Sequence, residues 1–225
     1  IKKACRSLIM KQIASFGCGV DSVAGLLLNS NYDEIIFADT LDELPETYAY
    51  LDYFEKKSGL KITKVKSKHG SLYDYFFKGK SQSSKFHHWC SDKFKIQPIR
   101  KYLREKYGKK ETFEMNIFID YSEFHRMRES DRKYIKNKYP LVEQKLTRDE
   151  LKEIIKSKGY LLPQKSGCYH CCFTTKKGWI KLRNNEPELW EKTKDLENNS
   201  NTKESLIKLK GKDSKTLFEC ACFNG

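Results

Sequence analysis

Over residues 9–142, short apolar runs alternate with longer stretches in which apolar residues recur at helical spacing. Ile9-Met10-Lys11-Gln12-Ile13-Ala14 predicts a strand, and Val23-Ala24-Gly25-Leu26-Leu27-Leu28 the first turns of a helix. Ile35-Ile36-Phe37-Ala38 is an unbroken apolar run of the kind buried in parallel sheets. Pro45 suits a first helical position, and Tyr48, Leu51, Tyr53 and Phe54 follow at broadly helical spacing. Ile62-Thr63-Lys64-Val65 predicts a third strand. The resulting order over residues 9–65, β-α-β-α-β, is the signature of a parallel sheet with helical crossovers.

Beyond residue 66 the pattern predicts a short helix at Leu72 to Phe77, a loop at Lys78 to Lys85 and a basic helix over Lys93 to Tyr107. Met115-Asn116-Ile117-Phe118-Ile119 predicts a fourth strand closing on Asp120, and Tyr121 to Lys133 an arginine-rich loop. Thr147, with Glu150 three residues on, suits the N-cap of a helix that ends near Gly159. The pattern then changes to Gly167-Cys168-Tyr169-His170-Cys171-Cys172, a tryptophan-bearing amphipathic segment from Lys176 to Leu196, and a polar stretch ending in Cys220-Ala221-Cys222. The expected organisation is an α/β domain over 1–160 and a Cys-rich subdomain over 161–225 packed on it.

Candidate chemistry begins at Ser15-Phe16-Gly17-Cys18-Gly19-Val20-Asp21-Ser22, between the first strand and the first helix. Strand, glycine turn and helix N-terminus together offer backbone N–H groups to a phosphate. Gly17 and Gly19 permit close approach, Ser22 offers a hydroxyl, and Asp21 can cap the helix or hold a cation. An ordinary strand–helix turn is the alternative. Asp39, with Thr40, stands at the carboxyl end of the second strand, the edge where ligands of open α/β sheets bind. Arg126, Arg128 and Arg132 fall within seven residues, and guanidinium forks match phosphate or sulfate oxygens; a solvated charge run is the competing explanation. Lys93, with Lys95, is a second basic candidate, close in sequence to Cys90.

Eight cysteines in 225 residues are too sparse for a disulfide scaffold, yet several are clustered. Cys168 with Cys171, and Cys220 with Cys222, have spacings that allow four thiolates on zinc or on a four-iron, four-sulfur cluster, with Cys90 as a further candidate. Redox thiols are the alternative. The formal charge of +14, from 44 Lys and Arg against 30 Asp and Glu, suits contact with tRNA, DNA or small anionic nucleotides, and equally a merely soluble basic surface. No apolar run reaches the roughly 18 residues of a membrane span, so a cytoplasmic chain without a membrane partner is expected.

Four blocks resemble the phosphoadenosine-phosphosulfate reductase family, within the larger group of PP-loop ATP pyrophosphatases. They are the 15–22 turn, Phe37-Ala38-Asp39-Thr40 continuing to Pro45-Glu46-Thr47, Trp89-Cys90-Ser91-Asp92-Lys93-Phe94-Lys95-Ile96-Gln97-Pro98-Ile99, and Arg126-Met127-Arg128-Glu129-Ser130-Asp131-Arg132. The resemblance implies an adenine nucleotide alpha-hydrolase-like fold, a mostly parallel twisted sheet flanked by helices, with the Cys-rich metal-binding region after it. It further implies ATP with Mg²⁺ as the adenine nucleotide and an adenylating, sulfur-transferring activity, sulfur coming from a cysteine desulfurase or through the cysteines. Family roles put Ser15, Gly17, Gly19, Asp21, Ser22, Asp39, Thr40, Arg126 and Arg132 at the nucleotide, and Asp21, Lys93, Arg128 and Cys90 in catalysis. A homodimer is compatible with these expectations. The usual loop, Ser-Gly-Gly-Lys-Asp-Ser, is here Gly17-Cys18-Gly19-Val20-Asp21-Ser22, so its lysine is absent. Glu219-Cys220-Ala221-Cys222 matches only the first two residues of the reductase motif Glu-Cys-Gly-x-His, which favours the ATP-using activity. A sulfonucleotide reductase with Cys220 as nucleophile, and a non-catalytic nucleotide- or nucleic-acid-binding module, are the alternatives.

Overall fold

Ile13, Ile36 and Phe113 are fully buried because each lies on a strand covered on both faces. The computed structural model describes residues 10–84 and 89–201. It builds one five-stranded sheet from β1 (Lys11–Ser15), β2 (Glu34–Asp39), β3 (Ile62–Lys66), β4 (Phe113–Ile117) and β5 (Ile135–Lys138), in the order β3-β2-β1-β4-β5. β1 pairs in parallel with β2 and β4, and β4 in parallel with β5. The predicted α/β class and the four predicted strands are therefore present, with boundaries shifted by a few residues. β5 is an addition to the prediction. Ile135 is its one buried residue, and an edge strand needs no second apolar position to hold it.

The chain divides into two compact units. The first comprises Pro45–Val65, Ile99–Ser166 and the described part of Ile1–Ala38, and holds the sheet. Alternation along its strands sends Ala14, Ile35 and Phe37 to one core with α1 (Val20–Leu28), α2 (Pro45–Ser58) and α7 (Arg148–Ser157). Ile13, Ile36 and Met115 go to the other face, under Ile99 and Leu103 of α5 (Gln97–Tyr107). Phe16 stacks on Phe54 at 5.3 Å between ring centroids, tying the turn after β1 to α2. The predicted cap of α7 is formed: the Thr147 N–H donates to Glu150 Oε2 at 2.8 Å.

The second unit comprises Asp39–Leu44, Lys66–Pro98 and the described part of Gly167–Gly225. It holds α3 (Leu72–Lys78), α4 (Trp89–Ser91) running into a π-helical turn (Asp92–Ile96), α8 (Lys176–Asn185) and α9 (Pro187–Asn199). A short helix, α6 (Pro140–Glu143), belongs to the first unit. The amphipathic segment expected to run unbroken from Lys176 to Leu196 is two helices. Pro187 has no N–H and disfavours helical geometry at the residue before it, so Glu186 adopts φ −132° and ψ 64° and the chain turns. Trp179 and Trp190 then meet edge to face at 6.3 Å, as packing residues. Among the described residues no helix is long and apolar enough to cross a membrane.

Gly25 fixes how closely α1 approaches the chain leaving β4, because a Cβ there would overlap the Phe118 ring. Gly25→Ala is expected to lower stability by about 1–3 kcal/mol. Phe118→Leu should recover part of that loss in urea unfolding. An unchanged midpoint in the single variant would show that the contact does not constrain the fold.

Candidate functional site

The order β3-β2-β1-β4-β5 reverses direction between β1 and β4, so the loops leaving these strands diverge and open a crevice at their carboxyl ends. After β1 the chain turns through Phe16–Gly19 and enters α1. Cys18 takes a left-handed φ of 57° and turns inward, its thiol pointing at the Thr47 carbonyl at 3.5 Å. Gly19 caps the helix, its N–H donating to Ser22 Oγ at 3.2 Å. Gly17 is exposed, and a Cβ there would meet nothing within 4 Å, so the turn faces open space. Ser15 ends β1, between Ile36 and Ile117 of the neighbouring strands.

After β4 the chain reaches Asp120, which caps the 3-10 helix Tyr121–Arg126 by accepting from the Ser122 N–H at 2.8 Å. Asp21, Asp120 and Glu123 thereby bring one carboxylate oxygen each within 4.8 Å of one another. Arg148, from the first turn of α7, meets this group, with Nη1 at 3.1 Å from Asp21 and 3.7 Å from Asp120. Burial pushes the Asp21 carboxyl above its ordinary range; Arg148 pulls it down, and the charges of Asp120 and Glu123 push it up again. Two buried or half-buried carboxylates and a third beside them hold a standing demand for positive charge. Arg126 pairs with Glu123. Arg128 Nη1 donates to the His125 and Met127 carbonyls, and Arg132 pairs with Asp131, so the three arginines do not converge on one point. Asp120, Glu123 and Arg148 were not singled out by the sequence. The signal for Asp120 was its place at the end of a strand, equivalent to that of Asp39.

In the second unit, Asp39 accepts from the Leu41 N–H at 2.8 Å and Thr40 donates to the buried Glu43 carboxylate at 3.1 Å. Lys95 reaches the same carboxylate at 3.2 Å. The Lys93 ammonium is held by the Tyr75 hydroxyl and lies 5.3 Å from the centre of the Trp89 ring. Backbone bonds from Leu44 N–H to Gly167 O, at 3.1 Å, and from Tyr169 N–H to Asp42 O, at 3.0 Å, fix the cysteine loop against residues 42–44. Ser83 Oγ donates to the His170 carbonyl at 2.9 Å and accepts from the Cys172 N–H at 3.0 Å. His170 is buried, with Nε2 3.8 Å from Asp42. The Cys168 thiol, and after it the Cys172 thiol, donates toward Cys171, which lowers Cys171 far below the ordinary thiol range and raises both donors. Burial, then the charge of Cys171, raises Cys90, which places it in the same sulfur group.

Among the described residues no metal centre of cysteines is seen. Among the described residues the group of three donors at metal-ligand spacing is Asp21, Asp120 and Glu123. Cys220 and Cys222 lie outside the described residues. The acidic group arises because the strand order draws carboxylates from two loops together.

The fold and this crevice define an α/β protein with a candidate anion turn and an acidic group at a sheet's switch point. Residues 11–114 match the family model of the phosphoadenosine phosphosulfate reductase domain. A curated relative, an uncharacterized protein of Methanocaldococcus jannaschii, is 28% identical over 199 residues, which cover 81% of this chain and 46% of that protein. The chain thus spans about half the length of the relative it matches. The crystal structure of phosphoadenylyl-sulfate reductase from Candida auris, a phosphate complex, shares the fold, with TM-score 0.52 and 14% identity over 71% of this chain and 82% of that one. The U34-tRNA thiolase NcsA of Methanococcus maripaludis, solved with its four-iron, four-sulfur cluster, aligns with TM-score 0.46 and 16% identity over 84% of this chain and 71% of that one.

Because the thiols share hydrogen toward Cys171, its thiolate persists as pH falls below the ordinary thiol range, where the other cysteines are protonated. Iodoacetamide at about pH 6, read by mass spectrometry, is expected to modify Cys171 ahead of Cys90, Cys168 and Cys172. Uniform labelling would contradict the shared-proton arrangement.

Proposed function

We propose that the chain is a PP-loop ATP pyrophosphatase-type enzyme that adenylates an acceptor oxygen, releases pyrophosphate, and lets sulfur displace AMP. The observation that carries this reading is the meeting of Asp21, Asp120 and Glu123 at the reversal of the sheet, on the helix opened by the turn at Gly17. Three carboxylate oxygens suit a hard cation such as Mg²⁺, which when bound offsets the charge of a polyphosphate.

In the proposed reaction an acceptor oxygen attacks the α-phosphorus of ATP. The bond from that phosphorus to the bridging oxygen breaks, and pyrophosphate departs with the electron pair. The exposed turn at Gly17 and the N-terminus of α1 are suited to the phosphate charge, whereas the Gly19 N–H donates to Ser22 Oγ and the Ser22 hydroxyl to the Gly19 carbonyl. A sulfur nucleophile then attacks the atom bearing the adenylate, and AMP leaves. Cys90, Cys168, Cys171 and Cys172 are soft donors, suited to zinc, to an iron–sulfur cluster or to sulfur received from a cysteine desulfurase.

The family match favours one second reading, reduction of an activated sulfate with Cys220 as the nucleophile. Turnover with that substrate would leave an S-sulfocysteine on the chain, detectable by mass spectrometry.

Gly17→Val separates ligand binding from folding, since its side chain would enter open space. It is expected to leave the melting temperature unchanged and to abolish binding of Mg-ATP measured calorimetrically. Asp120→Asn should lower release of AMP and pyrophosphate by about 10²–10³-fold. Wild-type protein that neither binds Mg-ATP nor splits it with any acceptor offered would sink the adenylation reading.

A further inference from the structure

Outside the acidic crevice, the sheet-bearing unit carries a cavity of about 590 Å³ along β5 and the segment that precedes it. Arg128, Arg132, Lys133, Lys136 and Lys138 line it, five cations against the carboxylates of Glu129 and Glu143. The loop is held to the strand by neutral contacts: Asn137 Nδ2 donates to the Arg128 carbonyl at 2.9 Å, and the Tyr139 hydroxyl donates to the same oxygen at 2.7 Å. Arg128 also donates to the His125 and Met127 carbonyls and Arg132 pairs with Asp131, while Lys133, Lys136 and Lys138 take no part in these contacts. Lys136 stands 4.0 Å from Glu114, at the limit of an ion pair.

The 3-10 helix that leads into this cavity presents aromatic rings to solvent. Phe124 is 58% exposed and Tyr121 41%, with ring centroids 6.2 Å apart, and His125 lies 6.2 Å beyond Phe124. Met127, which lines the cavity, is also exposed. Lysines on an edge strand can serve only to prevent strand pairing. That role gives no reason to leave Phe124 in water on the 3-10 helix just before the cavity's first lining residue, Met127. Cations that track a backbone, next to rings on which bases stack, are the two components of a single-strand binding surface.

We propose that this surface binds single-stranded nucleic acid, with phosphates on the β5 lysines and the cavity arginines and bases on Phe124 and Tyr121. As a binding surface it stands on these contacts alone; that the bound strand is the acceptor of the adenylation step rests on the function proposed above.

The test is fluorescence anisotropy of the full chain with labelled single-stranded RNA and DNA oligonucleotides, a DNA duplex and a polyglutamate competitor, without ATP. Either single strand is expected to bind more tightly than the duplex, and the preferred sugar identifies the class of strand. Lys133→Glu/Lys136→Glu/Lys138→Glu should weaken binding at least about tenfold and reduce the log–log salt slope by about two. Phe124→Ala should weaken it about tenfold, and Phe124→Trp should restore it. Lys56→Glu/Lys61→Glu/Lys158→Glu makes the same change of charge elsewhere and should have a smaller effect. No binding by the wild type, an equal loss in that second triple variant, indifference to Phe124→Ala, or equal competition by polyglutamate overturns the proposal. Because no nucleotide is present, failure here leaves the adenylation reading standing, and failed ATP cleavage leaves this surface standing.

Discussion

Three carboxylates drawn toward one point by two different strand ends form the constraint on which the sheet-bearing unit turns. Asp120 is almost wholly buried and Asp21 half-buried, and burial first, then the charges of Asp120 and Glu123, raise the proton affinity of Asp21 against the pull of Arg148. The meeting follows from topology: β1 and β4 are neighbours, and their outgoing loops part in opposite directions. Gly25 lets α1 lie against Phe118, just beyond β4, and so holds Asp21 at the distance where it meets Asp120. Arg148 supplies the compensating charge from α7, whose own start is fixed by the Thr147–Glu150 cap. A packing contact, a helix cap and an ion pair thus serve one electrostatic arrangement.

The central strands were legible because they are buried on both faces, which leaves apolar runs such as Ile35 to Ala38. β5 was not, since one apolar residue suffices at an edge. The turn at 15–22 was legible from its glycines. Asp120 and Glu123 were not, because about a hundred residues separate them from Asp21 and only the strand order joins them. Arg148 was hidden for a different reason: in sequence it is simply the residue after a helix cap. The cysteines were legible in part, since Cys220 and Cys222 lie outside the described residues. Spacing paired Cys168 with Cys171 and offered Cys90 as a further candidate, and the described residues group these three with Cys172 through the fold of the second unit.

That sulfur group is stabilised differently from the carboxylates. Burial favours neutral thiols, yet two thiols donating to one sulfur allow a single thiolate to persist among them. The backbone holds the geometry, through the short ladder between residues 42–44 and 167–169 and the two bonds of Ser83. Each unit therefore favours negative charge by its own means, oxygen with an arginine in one and sulfur with neighbouring thiols in the other.

The missing loop lysine has a physical account in the same terms. Val20 occupies the position that carries lysine in the usual loop, and it is buried in the core with Val23, Ala24 and Phe16. An ammonium there would be desolvated without a partner, at a cost far above that of burying a valine. Cys18, at left-handed φ and turned inward, reinforces the change by committing the tip of the turn to the interior. The positive charge instead reaches Asp21 from outside the loop, on the half-exposed guanidinium of Arg148. A guanidinium offers five N–H donors in a planar fork, where an ammonium is a compact point charge. Val20 thus suits a core position, and the acidic group takes its counter-ion from a neighbouring helix.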